Sequence, residues 1–397
     1  MDPYSCPYGF NISSQLDIDA STTDFQQCRS NDAFINIISP TTDLVFPPGL
    51  RVNNISATGL HRSLNLNLNA TDIVDNLYIQ EFYDGSLVLP IQVDLHNGTI
   101  RSIALTNSEP SYATYDRVNV YGNGTSEWKQ VNGRRVIFYD ITYLSVLQLQ
   151  DTGLSSSTLK SIGDLEIDGG VLEASELTFI RNNATLTNFV VPVLSSQPLD
   201  VGGDLTVRHK VNVEDDEPSA GELADFSWLV HSVDGNFDVE DWSNSTLRLP
   251  ELTAVGKQLS VHDSINSTFV FSALTSVGNL TMQNNGGSLL PGDFRNLEWA
   301  DSIQLRGNMD TSSFGNIFPS LKLVKQSITI EASNTDFNCS RLAFQQSQGL
   351  IGQLSCNGLD VDDARADPPS VATRSGVSQG VLVSIGIAIA IAVLVNP

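Results

Sequence analysis

The feature that most constrains this chain is a short pattern that returns through its second half. VGNLTMQNN at 277–285 and ADSIQLRGN at 300–308 each carry an apolar or small residue, two spacers, an apolar-x-apolar pair, and Asn three positions later. Variants follow at VDGNFDVED, VGKQLSVHD and VKQSITIEAS, some with one extra residue. The first apolar residues of these strands, Phe237, Leu259, Leu280, Ile303 and Ile328, lie 22, 21, 23 and 25 residues apart. Apolar-x-apolar alternation gives each strand one inward and one outward side. A strand this short cannot bury a face alone, but stacked turn on turn it builds a parallel sheet along one continuous core. The expected fold is mostly β, an elongated right-handed parallel β-solenoid, with the Asn residues closing backbone hydrogen bonds in the turns.

The spacing falls within the range of about 20–29 residues for leucine-rich-type turns, whose L-x-x-L-x-L-x-x-N skeleton it matches. Upstream the signature persists in VDNLYIQ, IRSIALTN, YDRVNVYGN, LSVLQLQ, IGDLEIDGG, SELTFIRNN and VGGDLTVRH, with irregular spacing. The connections are rich in Gly, Ser, Asn and Pro and carry little helical periodicity, so no long helix is expected. Two segments, YGNGTSEWKQVNGRR at 121–135 and VEDDEPSAGELADF at 213–226, read as surface insertions between turns. The second lacks the alternating acidic spacing of a Ca²⁺ loop and reads as solvated.

The chain ends on GVLVSIGIAIAIAVLVNP at 380–397. A membrane span needs roughly 20 apolar residues and usually a basic flank, and this run is shorter, with no Lys or Arg after it. A GPI-attachment signal needs a small residue at the cleavage site and two positions on, a polar spacer and an apolar tail. Ser370, with Ala372 two residues later, meets that need, and Ser375 is the alternative. A tail-anchored protein with a cytosolic domain is the competing reading. MDPYSCPYGFNISS at the start has neither a basic nor an apolar region of a signal peptide, so the first residue is expected to be internal to a longer precursor.

Four cysteines sit near the two ends, Cys6 with Cys28 and Cys339 with Cys356. Four cysteines allow three pairings. Cys6–Cys28 and Cys339–Cys356 are expected, as short terminal staples in an oxidising compartment, because linking opposite ends requires the termini to meet. Sequons stand at Asn11, Asn54, Asn69, Asn97, Asn123, Asn183, Asn244, Asn266, Asn279 and Asn338. Asn279, just before a strand, and Asn338, beside Cys339, are expected to be poor acceptors. A net charge of -24 repels phosphate backbones and anionic membranes, which excludes nucleic acid as a partner class.

Taken together, the N-terminal Cys pair, the VGxLTI-like turns ending in Asn, the closing SNTDFNCSRLAFQQ...IGQLSCNG and the apolar tail resemble the fungal GPI-anchored cell-wall organisation proteins. These are the extracellular-mutant and sporulation-specific wall glycoproteins built on a receptor-L-like domain. The resemblance covers about 201–358. It implies an N-terminal cap over 1–60 with its own disulfide, a receptor-L-like solenoid over 61–358, a short stalk over 359–379 and a removed signal over 380–397. It also implies a Cys339–Cys356 disulfide capping the last turns, a second at Cys6–Cys28, surface N-glycans, and attachment to the membrane through the GPI lipid. The Ser/Thr-rich stalk of the family is reduced here to roughly a dozen residues, which favours retention at the plasma membrane over transfer into wall glucan.

Chemistry-bearing patterns are sparse. GVSQG at 376–380 matches a nucleophile elbow in letters but has no strand before it, no helix after it and no later His. Asn334 and Asp336 with Asp362 and Asp363 echo a pectin-hydrolase start, yet no His follows His262. His61, His96, His209, His231 and His262 have no close ligand spacing and read as solvated turn residues, with His209 and His262 able to approach each other. YGNG lacks the third glycine of a phosphate loop. Trp242 and Trp299 near strand ends are candidates for stacking on sugar rings. The sequence thus predicts a non-enzymatic surface glycoprotein without a cofactor, supporting fungal wall integrity, whose partners are wall glycans or wall proteins. A carbohydrate-active β-helix enzyme and a receptor-like ectodomain are the alternatives.

Overall fold

A computed structural model describes residues 9–358 apart from connecting segments, the longest being 81–90, 107–116 and 210–223; between 68 and 140 only the backbone elements are described. The chain divides into two units, Met1–Asp360 and Val361–Pro397. The second unit, with the Ser370 and Ser375 attachment sites, GVSQG, Asp362 and Asp363, lies outside the described residues, as do Cys6 and Cys28.

The first unit is a parallel β-solenoid, with a 19-stranded, an 8-stranded and a 3-stranded sheet among the described residues. One register position runs through the long sheet from Phe10 by Ile35, Ile55, Leu77, Ile103, Trp128 and Leu147 to Leu165. It continues by Ala184, Leu205, Phe237, Leu259, Leu280, Ile303 and Ile328 to Leu354. The five strand-opening residues expected to stack therefore do stack, each opposite the next. Two positions on, Val239, Val261, Met282, Leu305 and Ile330 form a second inward column, and it closes on Cys356. Cys356 is bonded to Cys339 across 17 residues, with the Cα atoms 6.2 Å apart, so the expected C-terminal staple closes the last rung. The column already starts inside 1–60, where a separate cap was expected.

A further repeat turns the chain between sheets. In 249–255, 271–277, 294–300 and 318–324 the pattern is Leu or Phe, two residues, Leu, two residues, then Val or Ala. Each makes a tight turn: the N–H of Leu252 donates to the carbonyl of Leu249, Leu274 to Phe271, Leu297 to Phe294 and Leu321 to Phe318. The turn's first residue points into the core, and Phe237, Phe271, Phe294 and Phe318 form an edge-to-face ring stack with centroids 6.0, 5.4 and 6.5 Å apart. Such ring pairs add about 0.5–1.5 kcal/mol each beyond the apolar area they bury. The Asn signature works as expected at Asn285, buried at 4% exposure, whose Oδ1 accepts from the Ser264 N–H. Asn334 and Asn357 do the same for Met309 and Ala332. Asn308 uses its backbone carbonyl instead, accepting from Leu290.

Two expectations need correction. YGNGTSEWKQVNGRR is not an insertion: Thr125–Asn132 and Arg135–Tyr139 are strands paired in register on both sides. Its Gly and Asn residues only punctuate strand-forming Thr, Trp and Val. The acidic segment is outside the described residues up to 223, but its end, ADFS, is a strand of the 3-stranded sheet and Phe226 is buried. The helices among the described residues are short, α1 (Gln15–Gln27) and α2 (Ser340–Ser347). At α1, the Asp17 carboxylate accepts from the N–H groups of Ser13 and Ser14 at 2.7 and 2.8 Å, a capping arrangement written in the sequence as SQLD. Those backbone donors hold the Asp17 carboxyl below its ordinary range.

Candidate functional site

Because the long sheet is parallel and in register, its outward side chains also form columns. Glu166, Thr185, Thr206, Asp238, Ser260, Thr281, Gln304, Thr329 and Ser355 share one outward column between the two inward ones. The result is a broad polar face of hydroxyls, amides and carboxylates. On the next column Arg208 pairs with Glu240, whose Oε1 lies 3.5 Å from His262 Nε2, and His262 Nδ1 lies 2.9 Å from Asp263. Asp238 sits within this group. Burial, reinforced by the Glu240 and Asp204 carboxylates, pushes its carboxyl above the ordinary Asp range.

A carboxyl whose folded pKa is raised favours the folded state at low pH, and that contribution is lost as pH rises through the folded value. Asp238→Asn should therefore raise the urea midpoint at neutral pH, with the gain shrinking toward acid pH. A midpoint unchanged at both pH values would show that Asp238 is not held by these neighbours.

A hydroxyl, an imidazole and a carboxylate also line up at the start of the strands. His231 Nδ1 lies 3.0 Å from Asp200 Oδ1, and its Nε2 lies 3.5 Å from Thr253 Oγ1. The order is that of a nucleophile relay, but the donors are committed elsewhere. The Thr253 hydroxyl donates to the His231 carbonyl at 3.1 Å, as Thr275 does to Thr253 and Thr178 to Lys160 one rung back each time. The hydroxyl is a rung-to-rung clamp, and the half-exposed imidazole is bathed in water.

The other singled-out residues separate cleanly. Asn334 donates to Asp336 at 2.8 Å and to the Met309 carbonyl at 3.2 Å and holds the turn, while Asp362 and Asp363 lie outside the described residues. His209 is not a solvated turn residue: it stacks between Phe226 and Trp242 at 4.7 and 5.2 Å. Trp242 is fully buried and cannot stack on a ligand, whereas Trp299 is 45% exposed. His61 and His96 lie outside the described residues. Among the described residues no group of His, Cys, Asp and Glu has metal-binding geometry, and no helix is long and apolar enough to cross a membrane.

Several sequons share the outward face. Asn54, Asn183 and Asn279 immediately precede the ladder residues Ile55, Ala184 and Leu280, and Asn11 lies in the first strand. Asn279 is inside a strand rather than before it, exposed, and accepts from Ser302 Oγ at 2.6 Å. Asn244 and Asn266 belong to a different device. Both adopt positive φ, 49° and 50°, Asn266 Nδ2 donates to Asn244 Oδ1 at 3.2 Å, and the following Ser245 and Ser267 are buried with their hydroxyls on backbone carbonyls. The Asn-Ser-Thr triplet there is a stacked turn in its own right. Asn338, one residue before the N-cap Cys339, accepts from the Ser340 N–H at 2.8 Å at the start of α2. Asn69, Asn97 and Asn123 lie outside the described residues.

Fold and face together define a disulfide-stapled parallel β-solenoid with a polar, sequon-bearing outer sheet. Comparison of the chain with protein-family models, with curated proteins and with solved structures gave no match.

Proposed function

We propose that this protein is a non-enzymatic surface glycoprotein that supports fungal cell-wall organisation and integrity. It is held by a GPI anchor on the outer face of the plasma membrane or in the wall. The observation that carries the reading is the broad outward face of the long sheet, an array of hydroxyl, amide and carboxylate side chains repeated on each rung from Glu166 to Ser355. Such a face suits contact with glycans or wall proteins over many weak points. The Cys339–Cys356 disulfide supports an oxidising compartment. In this reading the solenoid is of receptor-L-like type, and the apolar run at 380–397 is exchanged for lipid at Ser370 or Ser375.

Removing the protein from its source cell should raise sensitivity to wall-binding dyes and change wall composition. Unchanged dye resistance and composition would overturn the wall role. Sugars released from wall polysaccharide by the purified protein would replace it with the carbohydrate-active alternative.

A further inference from the structure

The exposed aromatic residues Tyr143, Phe179 and Trp299 are far apart in sequence, yet they lie on one outward column at the starting edge of the long sheet. In register, Tyr143 stands opposite Ser161, Ser161 opposite Phe179, and Phe179 opposite Asp200. The column continues by Ser232, Ala254 and Ser276 to Trp299. Between the two outer rings every residue is small or short and polar. Five strand steps separate Phe179 from Trp299, about 24 Å at the usual strand spacing. The Phe179 and Trp299 rings are 37% and 45% exposed, and Tyr143 is held by the Arg181 guanidinium 4.8 Å over its ring.

The geometry points to a binding site for a linear, neutral hexose polymer laid along this column, a proposal that rests on the extracellular reading above. Aromatic faces stack on the C–H faces of sugar rings, and the floor between them presents what sugar hydroxyls pair with: the Ser276 hydroxyl and the Asp200 carboxylate, which the Ser232 hydroxyl orients by donating to Oδ1 at 2.6 Å. The hydroxyls of Thr253 and Thr275 flank the same stretch but are bonded to the rung before, so they fix the floor rather than bind. A polyanion is disfavoured by the net charge of -24. An extended peptide is disfavoured because the column lies on a sheet face, where backbone N–H and C=O groups are already used between rungs and cannot add a strand.

The test titrates the purified protein by calorimetry with linear hexamers of β-1,3-glucose, β-1,4-glucose and β-1,4-N-acetylglucosamine, and with the matching dimers. At least one hexamer should bind, with its dimer at least tenfold weaker because a dimer cannot reach both Phe179 and Trp299. Trp299→Ala and Phe179→Ala should each weaken the hexamer at least tenfold. Ser232→Trp should abolish binding by filling the floor, and Leu16→Trp, on helix α1, 76% exposed and off the sheet face, should leave it unchanged. Far-ultraviolet circular dichroism of each variant confirms that the stack is intact. No hexamer binding, or binding insensitive to both aromatic substitutions, overturns the proposal. Binding seen only in Asn279→Gln would assign the column to the protein's own N-glycan and also overturn it. Failure here leaves the dye phenotype standing, whereas hexamer binding with an unchanged wall would count against the wall role alone.

Discussion

Gly278→Val is expected to unfold the rungs on either side of Ser276–Gln283. A Cβ at Gly278 would stand 2.0 Å from the carbonyl oxygen of Lys257 and 2.9 Å from its carbon, both backbone atoms of the rung before. Backbone in a paired sheet cannot swing aside as a side chain does. The same close approach recurs at Gly256 against Asp234 and at Gly163 against Ser145, and the pairing slips register between Val255 and Gln258, where Gly256 and Lys257 lie. Glycine therefore lets the strand cross tightly over its neighbour before the inward column begins. Overpacking of this kind costs about 3 kcal/mol or more when nothing can relax. In a stack where each rung touches only its neighbours, the loss severs the coupling between the two halves. The expected results are a lowered urea midpoint, a broadened or split transition and new proteolytic cuts near 257–283. Gly286→Ala, where nothing lies within 4 Å, should behave as the native protein. Native stability in Gly278→Val would mean that the rungs are not packed as described.

The downstream half of the stack was legible because its steps are nearly uniform, so the apolar-x-apolar signature could be aligned by eye. Upstream the inward column runs through steps as short as 18 residues, Leu147 to Leu165, and as long as 32, Leu205 to Phe237, and one of its members is Ala184. The register there is fixed by core packing, which a variable connection hides. The Leu/Phe-x-x-Leu-x-x-Val/Ala turn was present in the sequence and could have been found by searching the connections for their own period. Helix α2 is only eight residues long and leaves Phe344 half exposed, so it offered too little periodicity to detect.

The candidate sites were much less legible than the fold. Outward columns join residues whose separation depends on every connection between them: Phe179 and Trp299 are brought into line by four intervening rungs. Asp200 and His231, 31 residues apart, meet because the strands Leu199–Val201 and Val230–Val233 pair on successive rungs. Trp242 and Trp299 looked alike as aromatic residues near strand ends, and only packing separates them. Trp242 closes against Phe226 with centroids 5.1 Å apart, while Trp299 opens a strand on the outer face.

The prediction with the largest expected effect concerns attachment. If the apolar run is a GPI signal, treating intact cells with phosphatidylinositol-specific phospholipase should move nearly all of the surface protein into the medium. Changing Ser370 to a bulky residue should block anchoring or shift it to Ser375, because the transfer reaction accepts only small residues at the attachment site. A Lys introduced at Ile387 should leave the precursor unprocessed, since a charge within an apolar segment costs about 2.5–3.5 kcal/mol on insertion. A protein anchored by its own apolar tail would stay with the cells in every case.

The most direct measurement is the C-terminal peptide of the phospholipase-released protein, identified by mass spectrometry. The account predicts a last residue at Ser370, or at Ser375, carrying the phosphoglycan remnant. A surface protein that resists the phospholipase and retains Pro397 would contradict the GPI anchor and its attachment site.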